Sequence, residues 1–208
     1  LKSDPVHTGE WHAQDVSKMP LLDTYELTHE SFILKIPDDY EDLQTLVSPN
    51  LPWAEDHFME RVSGQPLNPP PSHEWWPYGN TKTHQKGETF SHTYPERFWP
   101  KFANEGGKCA DSERVIAVPH VGIRYEYGDL QDVIQLLVKS PLTRQAYLPV
   151  WFPEDTGGHV RTGDRVPCTL GYHFLVRNNT IDISYFIRSV DFIRHFRDDV
   201  YMAGRLLQ

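Results

Sequence analysis

The segment from Cys168 to Arg188 constrains this chain more than any other. Residues 169–177 (TLGYHFLVR) and 180–187 (TIDISYFI) are two apolar runs separated by Asn178-Asn179. Asparagine tolerates the positive φ that a tight hairpin turn demands, so the sequence predicts a β-hairpin. Cys168 stands at the head of the first strand, within Arg165-Val-Pro-Cys168. A lone cysteine beside a strand is usually a small buried hydrophobe, but a nearby arginine favours the thiolate. Arg188 directly follows the second strand, a place where a cation is normally avoided unless it binds something. Dense charge comes next, in Arg188-Ser189-Val190-Asp191 and Phe196-Arg197-Asp198-Asp199, for which solvation at the surface is the simple explanation.

Other elements are legible around the hairpin. Asp129 is a good N-cap, and Leu130, Val133, Ile134 and Leu137 recur at helical spacing, giving a helix that ends before Pro141. Residues 145–151 (QAYLPVW) form an expected strand, and Asp199 to Gln208 an expected start of a helix. Upstream the chain is irregular, with ten of its 17 prolines placed by Pro77. There, residues 30–36 (ESFILKI) have strand character, residues 53–63 fit a short helix closed by Gly64, and PLNPPP at 66–71 is expected to be extended. Trp75, Trp76 and Tyr78 cluster in sequence, and core or subunit packing is their simpler role. No repeat or linker divides the 208 residues, which argues for one α+β domain with a mixed sheet, residues 1–24 forming an irregular N-terminal segment.

Composition excludes several functions. The chain carries 6 Trp, 10 Tyr and 10 Phe, enough for a large aromatic core. It has no apolar run long enough for a membrane helix and no signal-peptide pattern. A net charge of -9 argues against a general nucleic-acid binder, while leaving room for a small anion held by local arginines. Two cysteines, Cys109 and Cys168, point to a reducing, cytoplasmic setting. The eleven histidines show no zinc-ligand spacing, so no metal is expected.

Taken in order, several of these pieces resemble the thymidylate synthase superfamily. They are Pro-Cys168, the hairpin strand, Arg188-Ser189-x-Asp191, and Asp199 eight residues further on. Residues 129–152 resemble the family's helix, arginine turn and following strand. Thr93-Tyr94-Pro-Glu-Arg-Phe-Trp99 resembles its tyrosine-centred segment, and Glu55-Asp-His-Phe58 its catalytic-glutamate helix. The likeness spans about residues 25–208. It implies a thymidylate synthase-like mixed sheet with flanking helices that dimerises through the sheet. Synthases acting on dUMP place Asn at the position of Asp199. A carboxylate instead accepts from the cytosine amino group and from a protonated N3, so Asp199 points to the branch that hydroxymethylates CMP or dCMP at C5.

The resemblance also implies roles. Cys168 is the nucleophile that adds to C6, Glu55 positions or deprotonates water, and Tyr94 assists proton transfer at C5. Arg188 and Ser189 hold the nucleotide phosphate, with Arg144 donated from the neighbouring subunit and Arg165 standing in for a family arginine replaced here by Gln145. 5,10-Methylenetetrahydrofolate is the cosubstrate. Asp191 meets its pterin, and Trp75 and Trp76 are the candidate stacking surfaces. The family's His-x-Tyr after Asp199 is missing, so the chain is expected to lack a C-terminal segment. Two alternatives stay open: C5 methylation of dUMP, and nucleotide binding without catalysis.

Overall fold

The computed structural model describes residues 4–7, 23–78, 85–86, 89–103, 128–157 and 165–208. The hairpin forms as its sequence predicts. β6 (Thr169–Arg177) and β7 (Thr180–Ile187) pair antiparallel, and Asn178 and Asn179 take φ of 51° and 60° at the turn. β5 (Tyr147–Pro149) adds on the far side of β6, giving a three-stranded antiparallel sheet in the order β5-β6-β7. Two short antiparallel pairs stand apart from it: β1 (Asp4–His7) with β2 (Asp23–Glu26), and β3 (Gln85–Lys86) with β4 (Thr89–Phe90). The class is therefore α+β. Every strand pairing among the described residues is antiparallel, where a mixed sheet was expected.

The helices are α1 (Tyr40–Val47), α2 (Trp53–Val62), α3 (Tyr94–Phe98), α4 (Pro100–Ala103), α5 (Leu130–Lys139) and α6 (Phe196–Arg205). Asp129 caps α5 through a capping box with Asp132, and Gly64 sits just past α2 at φ 81°. Two apolar clusters organise them. Phe98, Leu130, Val133, Leu148, Val150, Tyr172 and Phe174 fill the space between the sheet and α3 and α5. Leu43, Trp53, Ala54, Phe58, Tyr201 and Met202 join α1, α2 and α6. A bidentate ion pair between Arg97 and Asp155, at 2.8 and 2.9 Å, ties α3 to the short 3-10 turn Pro153–Asp155.

Four expectations are corrected. Residues 30–36 form no strand: the segment pairs with no strand among the described residues, and Phe32 instead packs on Phe192 and Phe196 at ring distances of 5.9 and 5.3 Å. Strand character in a sequence needs a neighbouring strand to become a strand. The strand expected over 145–151 shortens to Tyr147–Pro149, because Val150 and Trp151 donate their backbone N–H groups to Leu170 where β6 is bulged. The last helix begins at Phe196, three residues before Asp199. Pro71 opens a 3-10 turn, Pro71–Trp75, so PLNPPP is not extended to its end. Among the described residues no helix is long and apolar enough to cross a membrane. Cys109 lies outside the described residues.

Candidate active site

A β-bulge follows the candidate nucleophile Cys168. The register of β6 against β7 slips between Thr169 and Gly171. Tyr172 lies three positions after Thr169, which in a regular strand puts the two on opposite faces. With the bulge, both turn inward, and the Thr169 hydroxyl meets the hydroxyls of Tyr94 at 3.3 Å and Tyr185 at 2.9 Å. Tyr172 stacks on Tyr185 at 4.8 Å. Cys168, one residue earlier, accepts the backbone N–H of Arg188 on its carbonyl at 2.9 Å, so the two ends of the hairpin close on each other.

Four elements surround this point. Tyr94 opens α3, whose first turn is fixed by the Thr93–Glu96 capping box. Asp199 sits in the first turn of α6. Its neighbour Asp198 is buried and accepts from Asn50 N and Nδ2, each at 2.8 Å, and from the Tyr78 hydroxyl at 3.0 Å. That anchor fixes where α6 starts and so where Asp199 points. Arg61 enters from α2. It is 3 % exposed, its Cζ lies 4.0 Å from the Tyr94 ring centroid, and its Nε has no hydrogen-bond partner among the described residues. Arg188 donates Nε to Pro167 O at 3.0 Å and Nη2 to Val166 O at 3.3 Å, and lies over Trp151.

Burial dominates the electrostatics. It raises Asp199 to about 6, against the opposing Arg61 charge and with Asp198 adding to the rise. It also raises the Cys168 thiol; Arg188 and Arg165 pull the other way without overcoming it, and Asp199 pushes it up further. Cys168 is thus a thiol in the resting protein, not the thiolate that a nearby arginine leads one to expect. Burial holds His57 down to about 4, with Arg61 adding to the fall, and His92 to about 3, with Arg97 adding to it. Burial likewise raises Tyr94, with Arg61 opposing.

The structure thus brings together Cys168, Tyr94, Asp199, Arg188 and Arg165, whose charges act on one another. Other expected residues lie elsewhere or are engaged. Glu55 accepts from Tyr201 at 2.6 Å and from Arg205 at 2.9 and 3.1 Å, and that pairing holds its carboxylate low. The α2 residues turned toward Tyr94 are His57, with its ring 6.3 Å from that of Tyr94, and Arg61. Asp191 caps its own turn, accepting from Ile193 N at 3.1 Å and Arg194 N at 3.0 Å. Trp75 donates to Asp56 at 3.2 Å, and Trp76 stacks on His195 at 5.8 Å. Ser189 and Arg144 are exposed, and the Arg144 carbonyl contacts His173 at 3.1 Å. Sequence reasoning missed Arg61, Thr169, Tyr185 and Asp198. For Arg61 a signal existed: it lies four residues after His57 and seven after Ala54, on one face of the helix.

No group of three or more His, Cys, Asp or Glu among the described residues is arranged to hold a metal ion. No protein-family model matches the chain, and a search of curated proteins finds no match.

Proposed function

We propose that this protein is a cytidylate 5-hydroxymethylase of thymidylate synthase-like fold, acting on CMP or dCMP with 5,10-methylenetetrahydrofolate. The observation that carries the reading is Asp199, a half-buried residue whose carboxyl desolvation raises to about 6, in the same site as Cys168 and Tyr94. Cytosine offers an amino donor at C4 and an acceptor at N3. A carboxyl with a pKa near 6 meets both, accepting from the amino group as a carboxylate and donating to N3 when it takes up a proton. Uracil reverses that edge and is the poorer fit.

The residues divide the remaining work. Cys168 adds to C6, and its proton must leave as substrate binds, since burial keeps it a thiol in the free site. Tyr94 handles the C5 proton. Arg188 fits a phosphate, because its guanidinium is already fixed by two backbone carbonyls. Ser189, beside it and exposed, has the same task, and Arg165 adds charge. The folate would supply the one-carbon unit. Its flat ring fits the Trp75 indole, 46 % exposed, and its pyrimidine edge fits the Asp191 oxygen that the backbone does not use. Trp76 extends that aromatic wall. The water-activating role expected of Glu55 is not part of the proposal, because an ionised carboxylate accepting three hydrogen bonds is a poor base.

A homodimer packed sheet to sheet follows from the same resemblance, with Arg144 reaching the partner's phosphate. Tyr147 and Phe186, 40 % and 46 % exposed on the outer face of the sheet, support it. The decisive measurement is tritium release from C5-labelled CMP, dCMP and dUMP with tetrahydrofolate and formaldehyde. Release from a cytidylate, absent in Cys168→Ala, is expected. Release from dUMP with formation of dihydrofolate favours methylation instead, and no release from any nucleotide favours binding alone.

A further inference from the structure

Two side chains of α2 meet the ring of Tyr94, and each keeps a polar atom that no other described residue uses. His57 and Arg61 stand four residues apart, one turn from each other on the same face of the helix. The His57 ring lies 6.3 Å from that of Tyr94 and nearly perpendicular to it, while Arg61 Cζ stands 4.0 Å from the Tyr94 ring centroid. We propose that His57 and Arg61 hold the water molecule that becomes the new hydroxyl group, with His57 Nε2 as the base that takes its proton. The proposal rests on the cytidylate reading above for its reaction and on the geometry of α2 for its residues.

The bonds at Nδ1 decide which ring nitrogen is the base. Ser72 donates its hydroxyl to Glu60 Oε2 at 2.5 Å and its backbone N–H to Oε1 at 2.6 Å. A serine hydroxyl has one hydrogen, so the Ser72 oxygen, 3.0 Å from His57 Nδ1, accepts from it. Glu60 Oε2, 3.4 Å from the same nitrogen, is a second acceptor. Burial works to raise the Glu60 carboxyl, but the bonds from His57 and Ser72 hold it low, so it stays ionised. Nδ1 therefore carries the ring hydrogen, and Nε2 presents a lone pair with no hydrogen-bond partner among the described residues. Stacking on Trp53 at 5.0 Å fixes the plane of the ring. Burial, with the Arg61 charge adding to it, holds His57 down to about 4, which leaves Nε2 unprotonated at neutral pH. Arg61 is the complement, a buried cation whose Nε has no partner among the described residues. A water that accepts from the guanidinium and donates to Nε2 has the two polar partners that ordering it requires.

Tyr94 handles the C5 proton, so the exocyclic methylene left at C5 stands on the side of the base where α2 meets Tyr94. The water oxygen forms a bond to the methylene carbon as a water proton passes to Nε2. The electron pair of the exocyclic double bond moves into the C5–C4 bond and pushes the C4–N3 pair onto N3. That charge returns to form the C5–C6 double bond as the C6–S bond breaks, with its pair going to Cys168. The imidazolium then gives up its proton and the Cys168 thiolate regains one, in keeping with burial raising that thiol.

The test compares His57→Gln, Arg61→Met and Arg61→Lys with wild type during turnover of C5-tritiated CMP and dCMP with tetrahydrofolate and formaldehyde, in the presence of 2-mercaptoethanol. Tritium leaves before water adds, and the thiol captures a methylene that water does not reach as a thioether. The ratio of tritium released to hydroxymethyl product should rise about 100-fold in His57→Gln and Arg61→Met, with the thioether making up the difference, and by less in Arg61→Lys. An unchanged ratio, with release and hydroxylation falling together, is what a purely structural histidine gives, and it overturns the proposal. The second measurement is nitrogen-15 NMR of histidine-labelled wild type, assigned with His57→Gln. It should find His57 protonated at Nδ1 and bare at Nε2 at neutral pH, and the reverse tautomer overturns the proposal whatever the variants do. No tritium release by wild type from either cytidylate overturns the cytidylate reading, and this step with it.

Discussion

Asp199 shows how one side chain shapes both stability and chemistry. Its folded pKa of about 6 lies above the ordinary carboxylate value of 3.8, so between these limits the folded state binds more protons than the unfolded state. Its contribution is fully present below pH 3.8 and is lost as pH rises toward 6. Asp199→Asn should therefore gain roughly 1–3 kcal/mol over wild type at pH 7 relative to pH 4, measured by urea denaturation at both pH values. Cys168 gives a second prediction. Its thiol is raised by burial against the Arg188 charge, so alkylation by iodoacetamide in a Cys109→Ser background should be slow at neutral pH. Arg188→Met should slow it further, and a faster rate in that variant would contradict the electrostatic ranking.

Secondary-structure elements carry the next set of effects. α5 depends on Asp129, which caps its backbone at 3.0 Å, is 0 % exposed and pairs with Lys101 at 2.9 Å. Asp129→Ala should cost about 2 kcal/mol, with the lost cap and the lost ion pair to Lys101 adding although Lys101 keeps Asp132 at 3.2 Å, and Asp129→Asn should cost less because it keeps the cap. α3 is held to the 3-10 turn after β5 by the buried Arg97–Asp155 fork. Asp155→Ala leaves the guanidinium buried and unpaired, with an expected loss of about 3–5 kcal/mol in denaturant unfolding. α2 contributes acid sensitivity through His57, whose folded pKa of about 4 lies below the usual 6.5. The unfolded state takes up the proton first, so stability is full above pH 6.5 and falls toward pH 4. His57→Gln should flatten that part of the profile.

The same helices show how far short-range signals reach. Asp129 with the apolar spacing behind it, Gly64 after α2 and the asparagine pair at the hairpin each act within a few residues, and each element forms where its sequence indicates. Residues 30–36 carry equally good strand chemistry but meet no partner strand among the described residues, and local preference alone does not make a strand.

On the scale of the whole molecule, the outer face of the sheet leaves Tyr147 and Phe186 exposed. Gly171 lies beneath Tyr147 there, and a β-carbon at that position would stand 2.3 Å from the Tyr147 hydroxyl and 2.7 Å from the backbone oxygen of Leu148. Tyr147 can swing aside but the backbone cannot, so Gly171→Ala should lower the unfolding midpoint even in a Tyr147→Ala background. If the sheet is the dimer interface, Phe186→Asp should give a monomer in sedimentation equilibrium while leaving the fold intact by circular dichroism.

The sequence by itself determined the hairpin, the Asp129 cap and the extents of α2 and α5, because each is set by φ preferences and hydrogen bonds between near neighbours in the chain. It also put Cys168 and Arg188 at the two ends of one hairpin. Only the tertiary structure decided that Arg61 and His57, rather than Glu55, face Tyr94, and that Cys168 rests as a thiol. Those outcomes depend on desolvation and on charges contributed by α2, α3, β7 and α6, and on a one-residue bulge between Thr169 and Gly171, quantities that exist only when the elements are packed together.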